Sequence, residues 1–322
     1  RLTGKSGGRN RRGRSALKAV EQALAWNPQA PHWYALASSL CLKAQQTVAA
    51  LQHLQKAIQL DPEDPQLNFL LGDTYLKLGD NQNARVSLEQ ACQLGSEKSD
   101  CWLELARLQF ENGELDHAAL TSDRAIELSQ AESNDANLVL ANILRAEVAL
   151  LAGNPRGAQS RIQSALKIAP DHLDALQILA RSLHAMDRSK EALEIMNKII
   201  PQVEKPLPLE LERAEWLSQS AASASAVGEL RLLAQKYPHE PRFKFLLAKG
   251  LLKTTQADAA ILSSRQALQD ANLGLEPEKQ SELYLIIGQS MRKNGQLDNA
   301  VHSLNQALEI SPANLDAHLQ LG

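Results

Sequence analysis

The sequence has few aromatic residues and no long apolar run. Only 4% of its 322 residues are Phe, Trp or Tyr, although 44% are hydrophobic. Sheets are enriched in β-branched and aromatic residues, whereas Leu, Ala, Glu, Gln and Lys favour helices, so an all-β fold is disfavoured. No apolar stretch reaches the roughly 18 residues of a membrane span, and no signal-peptide pattern opens the chain. We expect no membrane span here and a cytoplasmic location.

Cysteine and histidine are also too sparse to build a site. Three cysteines, Cys41, Cys92 and Cys101, form neither a disulfide framework nor a zinc-ligand spacing. Cys92 and Cys101 flank one predicted turn, where they could approach each other, but packing as reduced thiols is the favoured interpretation. The eight histidines are scattered singly, without an HExxH motif. The sequence therefore predicts no catalytic residue, no metal site and no cofactor.

Charge of one sign is concentrated only at the start of the chain. Residues 1–14 contain six basic residues and no acid, and the remaining residues carry 28 basic against 37 acidic side chains, a net charge of −9. A body with that balance is not expected to bind nucleic acid. Residues 1–14 are predicted to be a basic, Gly/Arg-rich flexible segment. Contact of its arginines with nucleic acid or anionic lipid is the alternative.

The clearest positive signal is an internal repeat of 34 residues. Inside each repeat, two stretches with a helical period of 3.6 are separated by a short break, so each repeat is predicted to be a helical hairpin. Four breaks contain a glycine where the first helix must stop, at Gly79, Gly113, Gly153 and Gly295. In the other four repeats Gln45, Asp187, Ala221 and Thr255 replace it. The complete repeats are 31–64, 65–98, 99–132, 139–172, 173–206, 207–240, 241–274 and 281–314, with six-residue insertions at 133–138 and 275–280.

The twentieth residue of every repeat is alanine. A small side chain at a fixed place allows the two helices of a hairpin to approach closely, and a larger one would push them apart. We therefore expect this alanine column to be buried. Its members are Ala50, Ala84, Ala118, Ala158, Ala192, Ala226, Ala260 and Ala300.

The repeat resembles the tetratricopeptide repeat (TPR) motif. The second repeat carries it as Leu71-Gly72, Tyr75, Ala84, Leu88 and Ala91, and the eighth as Tyr284, Ile287-Gly288, Ala300, Leu304, Ala307 and Pro312. The resemblance covers residues 15–322. It implies an all-α, right-handed superhelical solenoid of stacked hairpins, whose concave face is lined by the first helix of each repeat and holds a peptide or protein segment.

The same resemblance implies which residues line the groove. The fifth place of the repeats is mostly apolar and the ninth place, one turn later, is mostly charged. This pairing suits an extended or amphipathic partner, although fifth-place side chains could instead pack between neighbouring first helices. The fifth-place residues are Ala35, Phe69, Leu103, Ile143, Gln177, Leu211, Phe245 and Leu285. The ninth-place residues are Ser39, Asp73, Arg107, Glu147, Arg181, Glu215, Lys249 and Gln289.

Taken together, these patterns predict a non-enzymatic scaffold for protein–protein interaction. The alternative is a regulatory or substrate-recruiting region of a larger enzyme whose catalytic domain lies outside these residues. Residues 15–26 and 315–322 are interpreted as half-repeats at the two ends of the array. Their apolar faces, with Val20 and Leu24 at one end and Leu315 and Leu319 at the other, predict end-to-end self-association.

Overall fold

A computed structural model describes residues 4–219 and 224–321 of the chain. These residues form 18 α-helices and no strand, which confirms the prediction of an all-α stack of helical hairpins. The chain divides into two compact bodies: Arg1–Ser182, the N-terminal body, and Leu183–Gly322, the C-terminal body. Among the described residues, no helix combines the length and the apolarity that crossing a bilayer requires.

The helices are, in chain order, α1 Gly4–Trp26, α2 Pro31–Lys43, α3 Thr47–Leu60, α4 Pro65–Leu78, α5 Asn81–Gln93, α6 Ser99–Glu111, α7 Leu115–Ala131, α8 Asp135–Leu151, α9 Pro155–Ile168, α10 Leu173–Ala185, α11 Ser189–Ile199, α12 Leu207–Gln219, α13 Ala224–Lys236, α14 Pro241–Lys253, α15 Ala257–Gln269, α16 Pro277–Lys293, α17 Leu297–Ile310 and α18 Leu315–Leu321. Consecutive helices pack as hairpins: α2 with α3, α4 with α5, α6 with α7 and α8 with α9 in the N-terminal body, and α12 with α13, α14 with α15 and α16 with α17 in the C-terminal body.

Proline and a capping carboxylate mark the starts of particular helices. Pro stands at the first helical position of α4 and α14, where its missing N–H would be unpaired in any case. Asp64 precedes α4, and its carboxylate accepts from the backbone N–H of Gln66 at 2.7 Å. This is the usual way in which a side chain satisfies a free donor at a helix start.

The hairpin turns adopt one backbone conformation with or without glycine. Gly79 has φ of 77°, and Thr255, at the same place of its repeat, has φ of 61°. In the turn after α14, Thr255 N–H donates to Leu252 O at 3.4 Å and Gln256 N–H donates to Leu251 O at 3.1 Å. The turn at Gly79 makes the equivalent pair of bonds, which satisfy the last carbonyls of the helix. Gln45 and Asp187 also have positive φ, and Ala221 lies outside the described residues.

We expect Thr255→Gly to stabilise the C-terminal body by about 1 kcal/mol. A left-handed backbone is costly for a β-branched residue and free of that cost for glycine, whose greater flexibility in the unfolded chain offsets part of the gain. Thr255 is exposed, so the change removes no packing. Urea denaturation of this variant and of the reverse change Gly295→Thr, at a residue with φ of 76° and no atom near its missing Cβ, should shift the midpoint in opposite directions. A lower midpoint for Thr255→Gly would contradict the expectation.

The buried alanine column is confirmed. All eight alanines are buried, six of them completely. In two repeats the facing eighth place is even more restricted. A Cβ added to Gly72 would lie 2.7 Å from Leu88 Cγ and 3.3 Å from Ala84 O. Gly288 has the same relation to Leu304 and Ala300, at 2.8 and 3.3 Å. The two helices of these hairpins therefore touch almost backbone to backbone at this crossing.

Two segments outside the regular hairpins are also helical. The insertions at 133–138 and 275–280 are largely absorbed by α8 and α16, which begin four residues before the repeats at 139 and 281. Helix α1 begins at Gly4, so it includes most of the segment for which the sequence predicts flexibility, whereas residues 1–3 lie outside the described residues. Arginine is a good helix former, and extending an existing helix is easier than nucleating a new one.

Candidate functional site

The candidate site is the surface formed by the first helices of the hairpins, which we call the first-helix surface. In the N-terminal body α2 packs beside α4 and α6 beside α8, and in the C-terminal body α14 packs beside both α12 and α16. Each first helix thus presents one face to its neighbours and another to solvent. The predicted fifth-place and ninth-place residues are all on these helices.

The fifth-place side chains differ between the two bodies. Leu211, Phe245 and Leu285 of the C-terminal body are all buried, and Phe245 is only 4% exposed. They pack in the core or between neighbouring helices, as the alternative interpretation expects. In the N-terminal body Ile143 is buried as well, whereas the others, Ala35, Phe69, Leu103 and Gln177, are only half-buried. A partner could therefore reach this row directly only in the N-terminal body.

The ninth-place side chains are accessible throughout. Glu215 is exposed and the other members, Ser39, Asp73, Arg107, Glu147, Arg181, Lys249 and Gln289, are half-buried. Most of the charged side chains at the ninth place have an oppositely charged group nearby. Arg107 donates to Glu104 at 2.8 Å and to Glu111 at 2.6 Å, both on its own helix. Asp73 pairs with Lys77 one turn later on α4.

Lys249 covers the buried fifth-place aromatic of its own helix. Its ammonium lies 5.2 Å from the centre of the Phe245 ring and 2.7 Å from Glu282 Oε1 on the next first helix. A cation over an aromatic face is attracted by the ring electrons. In the C-terminal body a partner would therefore meet Lys249 before Phe245.

Glu147 is a ninth-place carboxylate in a partly desolvated position. Burial raises the pKa of Glu147, the positive charge of Arg181 on α10 opposes this rise, and the negative charge of Asp174 adds to it. Glu147 and Arg181 belong to successive repeats of the N-terminal body. Together they place a partly desolvated carboxylate and a guanidinium on the first-helix surface.

A strip of half-buried apolar residues lies on α4 and α6 of the N-terminal body, at the fifth place, whose members the sequence analysis names, and at the twelfth place, which the TPR resemblance also implies as groove lining. Phe69 and Leu103 belong to the fifth place, and Leu76 and Phe110 follow them seven residues later at the twelfth place. Residues seven apart lie on the same face of a helix, so the same period contained the signal for the second pair. We call these four residues the apolar strip. The charged side chains of Asp73 and Arg107 lie between its two rows on the same helices.

A lysine at the thirteenth place links neighbouring first helices in the C-terminal body. Lys253 Nζ donates to Ser218 O at 2.6 Å, and Lys293 Nζ donates to Leu252 O at 3.2 Å. Each lysine thereby reaches the twelfth-place carbonyl of the preceding repeat. A cation at this end of a helix donates to a carbonyl of the last turn and opposes the negative end of the helix dipole.

The site offers no grouping of metal ligands. Within residues 4–219 and 224–321, no cluster of three or more His, Cys, Asp or Glu side chains could hold an ion. His184, for example, contacts an aromatic ring and a hydroxyl group. Its ring stacks on the buried Trp216 at a centroid distance of 4.5 Å, and its Nδ1 lies 3.1 Å from Ser189 Oγ.

Family models match the hairpins directly. A model described as TPR repeat matches residues 40–79 and 288–322, and two described as tetratricopeptide repeat match 69–136 and 149–211. Together these matches cover more than half of the chain. The chain belongs to the TPR family. Proteins of this family are generally non-catalytic interaction scaffolds.

Comparison of this TPR chain with solved structures gives matches at low sequence identity, and the match to YrrB supports the shared fold. YrrB, described as a TPR protein with an unusual peptide-binding site, is 21% identical with a TM-score of 0.55, over 61% of this chain and 99% of YrrB. MamA is 20% identical with a TM-score of 0.47, over 57% of this chain and 93% of MamA. A TPR protein from Parabacteroides merdae is 14% identical with a TM-score of 0.45, over 91% and 98% of the two chains. No curated protein matches the sequence.

Proposed function

We propose that this TPR chain is a non-enzymatic scaffold that binds a peptide or protein segment on its first-helix surface. The observation that carries the proposal is the apolar strip of the N-terminal body, Phe69, Leu76, Leu103 and Phe110, which is half-buried. An apolar row that remains partly accessible between charged side chains is typical of a surface that a second chain completes. The peptide-binding site named for YrrB is consistent with such a role.

The chemistry of the strip defines the partner. A segment with apolar side chains would cover the strip, and charged side chains beside them would meet Asp73 and Arg107. The ion pairs of Asp73 and Arg107 with residues of their own helices are half-exposed and span one turn. Such pairs contribute only about 0.3–0.5 kcal/mol, so a partner can exchange them for its own charges at small cost.

The two bodies differ in what they offer to a partner. In the N-terminal body we propose Phe69, Asp73, Leu103, Arg107, Glu147, Gln177 and Arg181 as contacts, with Ile143 beneath them. In the C-terminal body the accessible contacts are Glu215, Lys249 and Gln289, with Leu211, Phe245 and Leu285 as the packing that supports them. At the two ends of the array Leu315 and Leu319 are exposed, whereas Val20 is buried within the chain and Leu24 is half-buried. Val20 is therefore not a contact for a second copy, and end-to-end self-association stays a prediction.

We expect the double change Phe69→Ala and Phe110→Ala to weaken partner capture at least about tenfold, which corresponds to about 1.4 kcal/mol. The matched control is Val86→Ala with Leu120→Ala, which removes two side chains that are 61% and 71% exposed on the second helices α5 and α7. The wild type and the two double variants are each used as bait. Every captured protein is then purified and titrated against all three.

The circular dichroism of both variants should remain helical, which separates a lost contact from a lost fold. Equal capture by wild type and by the Phe69/Phe110 variant would contradict the proposal. A loss of capture in the control variant alone would also contradict it and would move the binding surface to the second helices.

A further inference from the structure

Two cysteine thiols face each other where the second repeat meets the third. Cys92 is on α5 and Cys101 on α6, and their Sγ atoms are 3.6 Å apart. Both are free thiols. Sulphur atoms in a disulfide are about 2.05 Å apart, so closing the bond requires them to approach by only about 1.5 Å.

The turn between them holds this arrangement in place. Ser96 N–H donates to Ala91 O at 3.0 Å, and the indole N–H of Trp102 donates to Ser96 O at 2.7 Å. These bonds fix the connection between α5 and α6 on both sides of the turn. The two thiols are therefore neighbours because of the packing of the hairpins and not because of a flexible loop.

The two thiols are not equivalent. Cys101 is completely buried, and its Sγ lies 3.9 Å from Leu88 O, whereas Cys92 is half-buried. The hydrogen bond from Cys92 lowers the pKa of Cys101, and the same bond together with burial raises the pKa of Cys92. A reagent thus meets Cys92 first, and Cys101 reacts only with a disulfide that has already formed on Cys92.

We propose that Cys92 and Cys101 form a reversible redox site, which closes to a disulfide by exchange with a low-molecular-weight disulfide such as oxidised glutathione. In the first step Cys92 sulphur, after losing its proton, attacks one sulphur of the reagent. A mixed disulfide forms on Cys92, and one reagent thiol leaves and takes up a proton.

In the second step the Cys101 thiolate attacks Cys92 Sγ and releases the other half of the reagent as its thiol. The two cysteines have then lost two electrons and two protons, and the reagent disulfide has gained both. Because Cys101 is already in contact with Cys92, the second step is faster than the first. The mixed disulfide therefore does not accumulate, and a dithiol reductant reverses the sequence.

The bond would connect two successive hairpins. It joins α5, whose hairpin partner α4 carries Asp73, to α6, which itself carries Arg107 of the first-helix surface. A crosslink restricts the unfolded chain and fixes the contact between these hairpins. The redox state of the pair would then set how rigidly the second and third repeats are held together.

Mass spectrometry of the purified 322-residue chain tests the site. The protein is equilibrated with oxidised glutathione, the remaining thiols are alkylated in denaturant, and the chain is digested with trypsin. Lys98 lies between the two cysteines, so trypsin separates peptide 86–98 from peptide 99–107 unless a disulfide joins them. We expect the joined peptide, an alkylated Cys41, no glutathione adduct, and a return to three free thiols with dithiothreitol.

Single variants test the order of the two steps. Cys101→Ser should trap glutathione on Cys92, whereas Cys92→Ser should remain largely unmodified because Cys101 is buried. Cys41→Ser, at a buried cysteine on α2, should form the same joined peptide as the wild type and serves as the control. Three alkylated cysteines in the equilibrated wild type, or a glutathione adduct on its Cys92 without the joined peptide, would overturn the proposal. The wild-type result decides the matter even if a variant fails to fold.

Discussion

Phe245→Ala should lower the free energy of unfolding of the C-terminal body by about 3–5 kcal/mol, the usual loss when a buried Phe is truncated. The ring is buried in a core cluster with Phe243 and Leu246, and Lys249 closes it off from solvent. Removing the ring leaves a cavity, and the Lys249 side chain loses the aromatic surface that it covers. Urea denaturation followed by circular dichroism, with hydrogen exchange of peptides from α14 and α16, locates and measures the loss.

Leu262→Ala is the matched control for this change. It also truncates a large apolar side chain of the C-terminal body, but Leu262 is exposed on α15. Its effect should remain within about 0.5 kcal/mol. If both variants unfolded at the same urea concentration, Phe245 would not be part of the core, and its role would return to the groove that the sequence predicts.

Ala84→Leu should destabilise the hairpin of α4 and α5 by about 1–3 kcal/mol through overpacking. Ala84 is completely buried. Its carbonyl oxygen faces Gly72 on α4, where an added Cβ would lie only 3.3 Å from it. Three added carbon atoms have no space unless α5 moves away from α4. Denaturation midpoints and hydrogen exchange of the α4 and α5 peptides measure the effect.

Gln90→Leu provides the comparison on the same helix. Gln90 is exposed, so the added apolar volume meets solvent and the midpoint should change little. A midpoint for Ala84→Leu equal to that of Gln90→Leu would mean that the alanine column does not mark the crossing of the two helices.

The alanine column and the turns were predictable because they depend on residues that are close in sequence. The alanine is the twentieth residue of each repeat, and the same place recurs in all eight repeats. Even the turns without glycine follow the pattern, since Gln45, Asp187 and Thr255 adopt the left-handed backbone that Gly79 adopts. Closing the hairpin requires that conformation, and the hydrogen bonds of the turn compensate for a residue that disfavours it.

The accessibility of the fifth place was not predictable in the same way. Phe69 and Phe245 occupy the same place of the motif, yet one is half-buried and the other is in the core. The difference arises from neighbours in other repeats, such as Glu282, which holds Lys249 near the Phe245 ring. Contacts of this kind join residues more than 30 positions apart, so they cannot be predicted from the motif of a single repeat. Cys92 and Cys101 are free thiols, as the favoured interpretation expects, but the distance between them depends on how two hairpins stack and could not be read from the sequence.

The lysine contacts of the C-terminal body form equivalent junctions between successive repeats. Lys253 and Lys293 occupy the same place and reach the same carbonyl of the repeat before them, at Ser218 and Leu252. If the repeat 241–274 were lost by recombination, Lys293 would inherit the carbonyl of Ser218, and if it were duplicated, the new copy would bring its own lysine. An array built on such contacts can change length during evolution and keep a lysine-to-carbonyl bond at the new junction.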